Sequence, residues 1–346
     1  MRKRFLKSVA LILALSMMLL SGCGNSKEVS QVNQENSTGG TEADAVKTTI
    51  RVGVATSGFA YPFYVGQEKG FFEKYGIELV IDSYGNGGET IDATVLQQED
   101  MGEGMDYAIV TRLVEGSNLQ ILSFMAEANP TREGLYVQGG INEIKDIEGK
   151  RIAVRKGSIN EYVWKLLLDH YEIPEDSVER VELSSDAEII TAFVNNDVDA
   201  IWIMNVYKDQ LDEAGTNYTN LGDLSLVGVS QKAFILMDKA FVEQNPEVTE
   251  NFLKGVAEAE QFLLDNPEES AEIVYKKMAI EKDTALSDID NYNWDIRFTQ
   301  EDYDHLLNLS TWVQENGLTK SAYDVKDFVN YTPLKSAIPD KVNLGE

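Results

Sequence analysis

From Ile50 onward, short apolar runs of strand character alternate with helical stretches, and that alternation restricts the chain to α/β architectures in which helices cover a sheet. Ile50–Ala55 (IRVGVA) predicts a first strand, and a loop then leads to a helix ending at FFEKYG. Ile77–Tyr84 (IELVIDSY) predicts a second strand, after which GNGGE opens a helix carrying Ile91 and Val95. Asp106–Val110 (DYAIV) and Leu119–Met125 (LQILSFM) read as two more strands, and Gly134–Gln138 as an extended crossing into another lobe. The grammar then starts afresh with a strand at Arg151–Val154, a turn at Lys156-Gly157-Ser158 and a helix over Asn160–Tyr171. Val181–Leu183 predicts a strand, Ala187–Asn195 a helix buried through Ile189, Ile190, Phe193 and Val194, and Asp199–Ile203 (DAIWI) a further strand. Ser225–Leu236 reads as an extended return crossing. Everything after Asp238 reads as helical: Lys239–Asp265, Pro267–Met278, Lys282–Asp290 and Thr299–Asn316. Pro246 and Pro267 stand just inside helix starts, where a missing N–H costs nothing.

The body from Ile50, nearly 300 residues, exceeds one typical core, so two lobes are expected. What precedes it reads as a processing signal. Arg2, Lys3, Arg4 and Lys7 precede an apolar run from Val9 to Leu20, too short for the ~20 residues that a ~30 Å hydrocarbon core demands, as in a secretion signal cleaved from 1–22. Leu20-Ser21-Gly22-Cys23 is similar to the bacterial lipobox, which implies a lipidated Cys23 and anchoring at the outer face of the cytoplasmic membrane, firm only if more than one acyl chain is attached. Cys23 is the one cysteine of the chain, which excludes a disulfide framework and a cysteine-based metal site. Residues 23–49 are polar and poor in apolar side chains, a disordered tether. A flexible tether of that length reaches roughly 25–30 Å. Lys plus Arg total 30 against 58 for Asp plus Glu. Losing the leader, with its four basic and no acidic residues, takes the formal charge from −28 to −32. That balance and the absence of a basic run exclude a nucleic-acid footprint and leave contact with the membrane to the lipid alone.

Five segments stand out together: YVGQEKGFFEKYGIELVI (Tyr64–Ile81), the GNGGE turn, DIEGKRIAVRKGS (Asp146–Ser158), NNDVDAIWI (Asn195–Ile203) and YNWDIRF (Tyr292–Phe298). In combination they resemble the solute-binding proteins of ABC importers, in the branch handling nitrate, sulfonates, taurine and thiamine-precursor pyrimidines. The resemblance implies a type II periplasmic-binding fold, two lobes with mixed sheets joined by two crossings and closing on a ligand between them. The lobes are expected over 50–132 with 237–346 and over 133–236. The implied partners are a small solute and an ABC permease and ATPase complex, with the protein itself a monomer. A lipoprotein that senses solute for a signalling receptor stays open.

Each candidate pocket residue has a structural alternative. The loop after the first strand contributes to the ligand site in the family, which implies Phe59 and Tyr61, whereas Phe63 and Tyr64 begin a helix and pack inward. Asn86, Gly87 and Gly88 precede a helix whose free N–H groups make an anion site, or Asn86 simply caps it with Glu89 complementing the dipole. Gly157, Ser158 and Asn160 form the mirror corner in the second lobe, with Glu161 as the mark of ordinary capping. Thr111 and Arg112 follow a predicted strand, and an Arg there could hold a sulfonate, carboxylate or nitrate by paired hydrogen bonds, although the short spacing departs from the family. Asn205 and Tyr207 occupy the position of a family contact loop. Trp294 covers the cleft mouth or packs in the core, Trp202 reads as core, and Lys156 as solvated. His170 and His305 lack spaced partners, so no metal is expected. No cofactor is expected either. A fungal branch of the fold is an enzyme that depends on a cysteine-rich motif, which is absent here, and no nucleophile, phosphate-loop or dinucleotide fingerprint occurs. Taurine, alkanesulfonates, nitrate and a pyrimidine or flavin-like heterocycle remain open as ligands, with the aromatic first loop arguing against nitrate.

Overall fold

The computed structural model describes residues 47–116, 118–155 and 158–344, with the backbone alone at Val206. The leader, Cys23, the tether as far as residue 46, and Lys156 and Gly157 lie outside the described residues. Thr48 and Thr49, counted with the tether from sequence, already pair in the first strand. In chain order the first stretch forms β1 Thr48–Ala55, α1 Tyr61–Glu68, β2 Ile77–Tyr84, α2 Gly87–Val95, β3 Met101–Met105, α3 Asp106–Val110 and β4 Leu119–Ala128. Next come β5 Glu133–Gln138, β6 Arg151–Arg155, α4 Ile159–His170, β7 Glu179–Leu183, α5 Asp186–Val194, β8 Ala200–Met204, α6 Lys208–Glu213 and β9 Tyr218–Asp223. The chain closes with β10 Gln231–Asp238, α7 Lys239–Gln244, α8 Pro246–Asp265, α9 Pro267–Met278, α10 Lys282–Asn291, β11 Tyr292–Thr299, α11 Gln300–Glu315, α12 Thr332–Ala337 and β12 Val342–Asn343.

These strands make two mixed sheets, one ordered β12-β11-β4-β10-β3-β1-β2 and the other β7-β6-β8-β5-β9. β1 pairs in parallel with β2 and β3, as β6 does with β7 and β8, whereas β10 runs antiparallel to β3 and β4, and β5 antiparallel to β8 and β9. The chain leaves the first sheet after β4 through Pro130–Arg132 and returns after β9 through Leu224–Val227, inserting β10 between β3 and β4. Two lobes with mixed sheets and two crossings result, the type II periplasmic-binding fold that the resemblance implies. Both lobes belong to one compact unit, Ala45–Glu346.

Burial on both faces of the central strands explains why β1 reads as a continuous apolar run. Helix α8 shows the complementary logic. Phe252, Val256, Ala259 and Leu263 recur at helical spacing and are fully buried. The helix lies so close to α1 that a Cβ on Gly66 or Gly255 would meet the Phe72 ring at 2.5 and 2.6 Å. Phe252 in turn stacks on Phe63 and Phe72, with centroids 6.3 and 5.6 Å apart.

Three expectations about elements are corrected. DYAIV is helix α3, and the strand is the preceding Met-Gly-Glu-Gly-Met. A five-residue apolar run does not distinguish a buried strand from a buried helical turn, and the glycines that suggest a turn are needed because α2 lies directly over β3. A Cβ on Gly102 would meet Thr94 Oγ1 at 2.6 Å, and one on Gly104 would meet Ile91 Cδ1 at 2.8 Å. Second, the tail is not all helical: Tyr292–Thr299 is β11, whose alternating burial through Tyr292, Trp294, Ile296 and Phe298 is the period-2 pattern of a strand. Third, Lys239–Asp265 is two helices, broken at Asn245 (φ −130°, ψ 54°), because the residue before Pro246 is pushed out of the helical region.

Candidate functional site

The parallel strands of both sheets end at one place. Ala55, Met105, Arg155 and Met204 close β1, β3, β6 and β8, and all four line a cavity of about 490 Å3 between the sheets. Ligands in open α/β sheets bind beyond such carboxyl ends, and the volume is that of a small-molecule site. A second cavity of about 440 Å3 shares Asn86, Gly87, Met105 and Arg155 with the first and continues past Gly88, Arg112, Ser158 and Ser184.

Arg155 stands where the two cavities meet, and its neighbours hold it rigidly. Its Nη1 donates to Asp186 Oδ1 at 2.8 Å and its Nε to Ser158 Oγ at 3.2 Å. Ser158 Oγ also caps α4 by accepting from Asn160 N–H (3.3 Å), while Asn160 Oδ1 accepts the Arg155 N–H at 3.0 Å. Both residues of this corner therefore serve the fold as well as the cavity. The side chain of Asn160 is buried and lines the first cavity, and its Nδ2 makes no hydrogen bond among the described residues. Trp202, also buried and lining, leaves its indole N–H without a partner. An unpaired buried donor costs about 1–3 kcal/mol, so these groups are suited to an acceptor brought in from outside.

The opposite wall is acidic and aromatic. Glu103 is 1 % exposed, and its Oε1 accepts the Ala55 N–H at 2.7 Å. Burial pushes its carboxyl up to about 7, only partly offset by that N–H. Glu133, whose remaining surface faces the cavity, is likewise raised to about 7 by burial, with Arg155, Gln231 and Arg132 opposing and Asp186 reinforcing. Arg132 belongs to the outgoing crossing. Its Nη2 donates to Asp288 Oδ1 at 3.2 Å, its Nη1 to the Tyr292 hydroxyl, and its guanidinium lies 4.8 Å from the Tyr292 ring centre. Phe59 packs on that ring with centroids 4.5 Å apart. Gly58 has no alternative, since a Cβ there would sit 2.4 Å from Tyr292 Cε2.

A raised carboxyl stabilises the fold while protonated. The contribution is full below the ordinary value of 4.5 and is lost as pH climbs through about 7. The unliganded protein is therefore expected to be less stable at pH 8 than at pH 5 by a few kcal/mol, since each tenfold change in a group's proton affinity on folding is worth about 1.4 kcal/mol. Buried Glu260, raised well above its ordinary value by burial, acts in the same sense. Urea titrations at the two pH values measure the difference, and Glu103→Gln with Glu133→Gln should shrink it; equal stabilities would contradict it.

Of the candidates read from sequence, Phe59, Asn86, Gly87 and Asn160 line the first cavity, and Gly88, Arg112 and Ser158 line the second. The Asn86 side chain is spent on capping: its Oδ1 accepts from Glu89 N–H at 3.2 Å and its Nδ2 donates to Glu89 at 3.0 Å. Gly157 lies outside the described residues. Five candidates line neither cavity. Tyr61 is fully buried behind the wall, where its hydroxyl donates to Asp288 at 2.8 Å. Thr111 turns its hydroxyl back to Tyr107 O at 2.8 Å and, with α3 helical, sits on a separate groove with Asp92 and Glu115. Arg112, on that groove too, is paired with Asp92 at 3.0 Å. Asn205 ties down the crossing, accepting from the Tyr136 hydroxyl at 2.5 Å and donating to Thr131 O at 2.6 Å. Tyr207 packs on the second lobe's outer cluster. Trp294, 4 % exposed, backs Phe59 and Tyr292 and donates to Ile289 O at 3.2 Å. Sequence reasoning missed Glu103, Arg132, Glu133, Arg155, Asp186, Gln231, Asp288 and Tyr292, and assigned Trp202 to the core alone. Arg155 had a usable signal, since it lies between the predicted strand Arg151–Val154 and the turn already singled out. The others become neighbours only through sheet pairing. His305 is not a plain surface residue, because its Nε2 lies 2.7 Å from Asp106 Oδ2 and links α11 to α3. Among the described residues no group of three or more His, Cys, Asp or Glu could hold a metal ion, and no helix is long and apolar enough to cross a membrane.

Comparison with known proteins agrees with this fold. Residues 59–270 match the family model described as NMT1/THI5 like. The putative aliphatic sulfonates-binding protein of Bacillus subtilis is 23 % identical over 355 residues, covering 99 % of this chain and all of that one. The taurine-binding periplasmic protein of Escherichia coli is 31 % identical over 136 residues, 39 % of this chain and 42 % of that one. Among solved structures, the periplasmic aliphatic sulphonate binding protein SsuA of Escherichia coli superposes with a TM-score of 0.69 at 18 % identity, over 82 % of this chain and 92 % of that one.

Proposed function

Because the chain belongs to the NMT1/THI5-like family, we propose that it is the extracytoplasmic solute-binding protein of an ABC importer and captures a small sulfonate or taurine-like solute. The observation that carries this reading is the cavity between the lobes, with a buried indole N–H on Trp202 and the Asn160 amide unpartnered among the described residues beside an Arg155 paired with Asp186. Such donors suit the several oxygens of a sulfonate, and a guanidinium with five N–H groups keeps some for a ligand even when paired with Asp186. Contacts to both lobes, with β10 (Gln231–Asp238) in the first and not, as the expected bound at 236 had it, in the second, would favour a closed form over an open one, and that difference is what a permease and ATPase complex could read. Tyr162 of α4 and Trp312 of α11, with ring centroids 4.8 Å apart, bridge the two lobes beside the cleft and would part on opening. The leader over 1–22 and Cys23 support lipid anchoring at the outer face of the membrane. Catalysis receives no support from the residues around the cavity.

A second reading draws on the aromatic wall. Phe59, Tyr292 and Trp202 would equally flank a flat pyrimidine-like heterocycle. Thermal unfolding of the mature chain with taurine, ethanesulfonate, nitrate and an aminopyrimidine separates the readings. A ligand at 100 times its Kd stabilises by about 2.7 kcal/mol. Stabilisation by sulfonates is the expected result; stabilisation by the aminopyrimidine alone would replace the first reading with the second.

A further inference from the structure

We propose that Glu103 is an ammonium subsite that makes the cleft selective for amino-sulfonates over sulfonates without an amine. This rests on the sulfonate reading above and adds the other half of the ligand. Glu103 lies in the middle of β3 with 1 % of its surface exposed, yet it lines the cavity. One oxygen, Oε1, is committed to the Ala55 N–H at 2.7 Å. The other, Oε2, has no hydrogen-bond or ion-pair partner among the described residues.

The remaining charges of the cavity are accounted for. Asp288 is taken by Arg132 and by the Tyr61 hydroxyl, Asp186 by Arg155, and Glu133 accepts from Gln231 Nε2 at 2.9 Å. Among the described residues Glu103 is thus the carboxylate of the cavity with no side-chain donor. A single available oxygen suits one N–H of an ammonium; the two parallel N–H groups of a ring-protonated aminopyrimidine would match both carboxylate oxygens, of which Oε1 is already committed. Burial and the lack of a neighbouring cation hold this carboxyl high, and a ligand ammonium would supply the missing charge. Asn160, Trp202 and Arg155 carry the available donors for the sulfonate. Acceptor and donors come from different sheets, so a zwitterion would engage both lobes at once.

The test compares taurine with ethanesulfonate, which differs by replacement of the ammonium with hydrogen, in calorimetric titrations of the mature chain. Wild-type protein should bind taurine about ten- to a hundredfold more tightly, the range for a hydrogen bond to a charged group. Glu103→Gln should weaken taurine by that factor and change ethanesulfonate by less than about twofold. Equal binding of the two by wild-type protein, or a preference that survives in Glu103→Gln, overturns this inference alone. If wild-type protein binds neither, the sulfonate reading falls and this inference with it. If Glu103→Gln does not fold, Glu103→Asp serves in its place: its shorter side chain should lose at least half of the wild-type taurine preference in logarithmic terms, and a full preference overturns the inference.

Discussion

Replacing Asp302 by Ala is expected to lower the unfolding free energy by about 3–5 kcal/mol, the range for stranding charges in a buried ion network. Asp302 is fully buried and receives Lys232 Nζ at 3.1 Å, Arg297 Nε at 3.2 Å, and the Thr299 hydroxyl and N–H at 2.7 and 3.0 Å. Lys232 is itself buried in β10, and Arg297 lies flat against Phe124 with its guanidinium 3.8 Å from the ring centre. Removing the carboxylate takes from Lys232 and Arg297 their shared, fully buried partner, leaving Lys232 the exposed Glu301 at 3.2 Å and Arg297 the part-exposed Asp295 at 3.3 Å, and also opens the capping box of α11. Burial alone would push the Asp302 carboxyl up, but Thr299, Arg297 and Lys232 outweigh it and hold the group below its ordinary value. The stability it contributes is therefore present above the ordinary range and lost as pH falls through the depressed one. Urea titrations at neutral pH measure the loss, and Asp302→Ala should also be less sensitive to acid than the parent. A midpoint unchanged from the parent would mean that the network contributes nothing net.

Replacing Arg155 by Met should raise the Kd for the sulfonate-like solute at least about thirtyfold, since truncating one member of a buried, hydrogen-bonded charge pair costs about 2–5 kcal/mol. Arg155 borders both cavities, and Asp186 and Ser158 aim it before any ligand arrives. Asp186→Asn offers a test of sign. It removes the carboxylate that competes for the guanidinium, so affinity for an anionic group should hold or improve while Arg155→Met weakens it. Parallel weakening in both variants would mean that the pair acts as a structural strut and does not touch the solute. Titration calorimetry on both variants, with unliganded stability measured alongside, separates these outcomes.

Much of the site's location is legible in the chain itself. Asn86, Gly87 and Gly88 after β2 and Ser158 and Asn160 after β6 line the cavities between the lobes, because strand, turn and helix start are all local in sequence. The identities of the contacting side chains are far less legible. Aromatic content points to Tyr61, yet its hydroxyl is engaged 227 positions away at Asp288. Charge points to Arg112, which is paired with Asp92 on the rim. Of the arginines at the heart of the cleft, Arg132 stands in a stretch with no motif of its own, and Arg155 directly before a familiar turn.

By itself the sequence determined the α/β class, the two-lobed scale and the corners of the cleft, all of which follow from periodicities and turn residues within a dozen positions. Only the tertiary structure decided that β10 inserts between β3 and β4, that Tyr292–Thr299 is a strand beside β4, and that Glu103 faces a cavity shared with Asn160 and Trp202. The physical reason is the range of the forces involved. Backbone preference and amphipathic spacing act over one or two turns of chain, whereas which buried carboxylate meets which cation depends on strand neighbours separated by more than a hundred residues, as with Arg132 and Asp288.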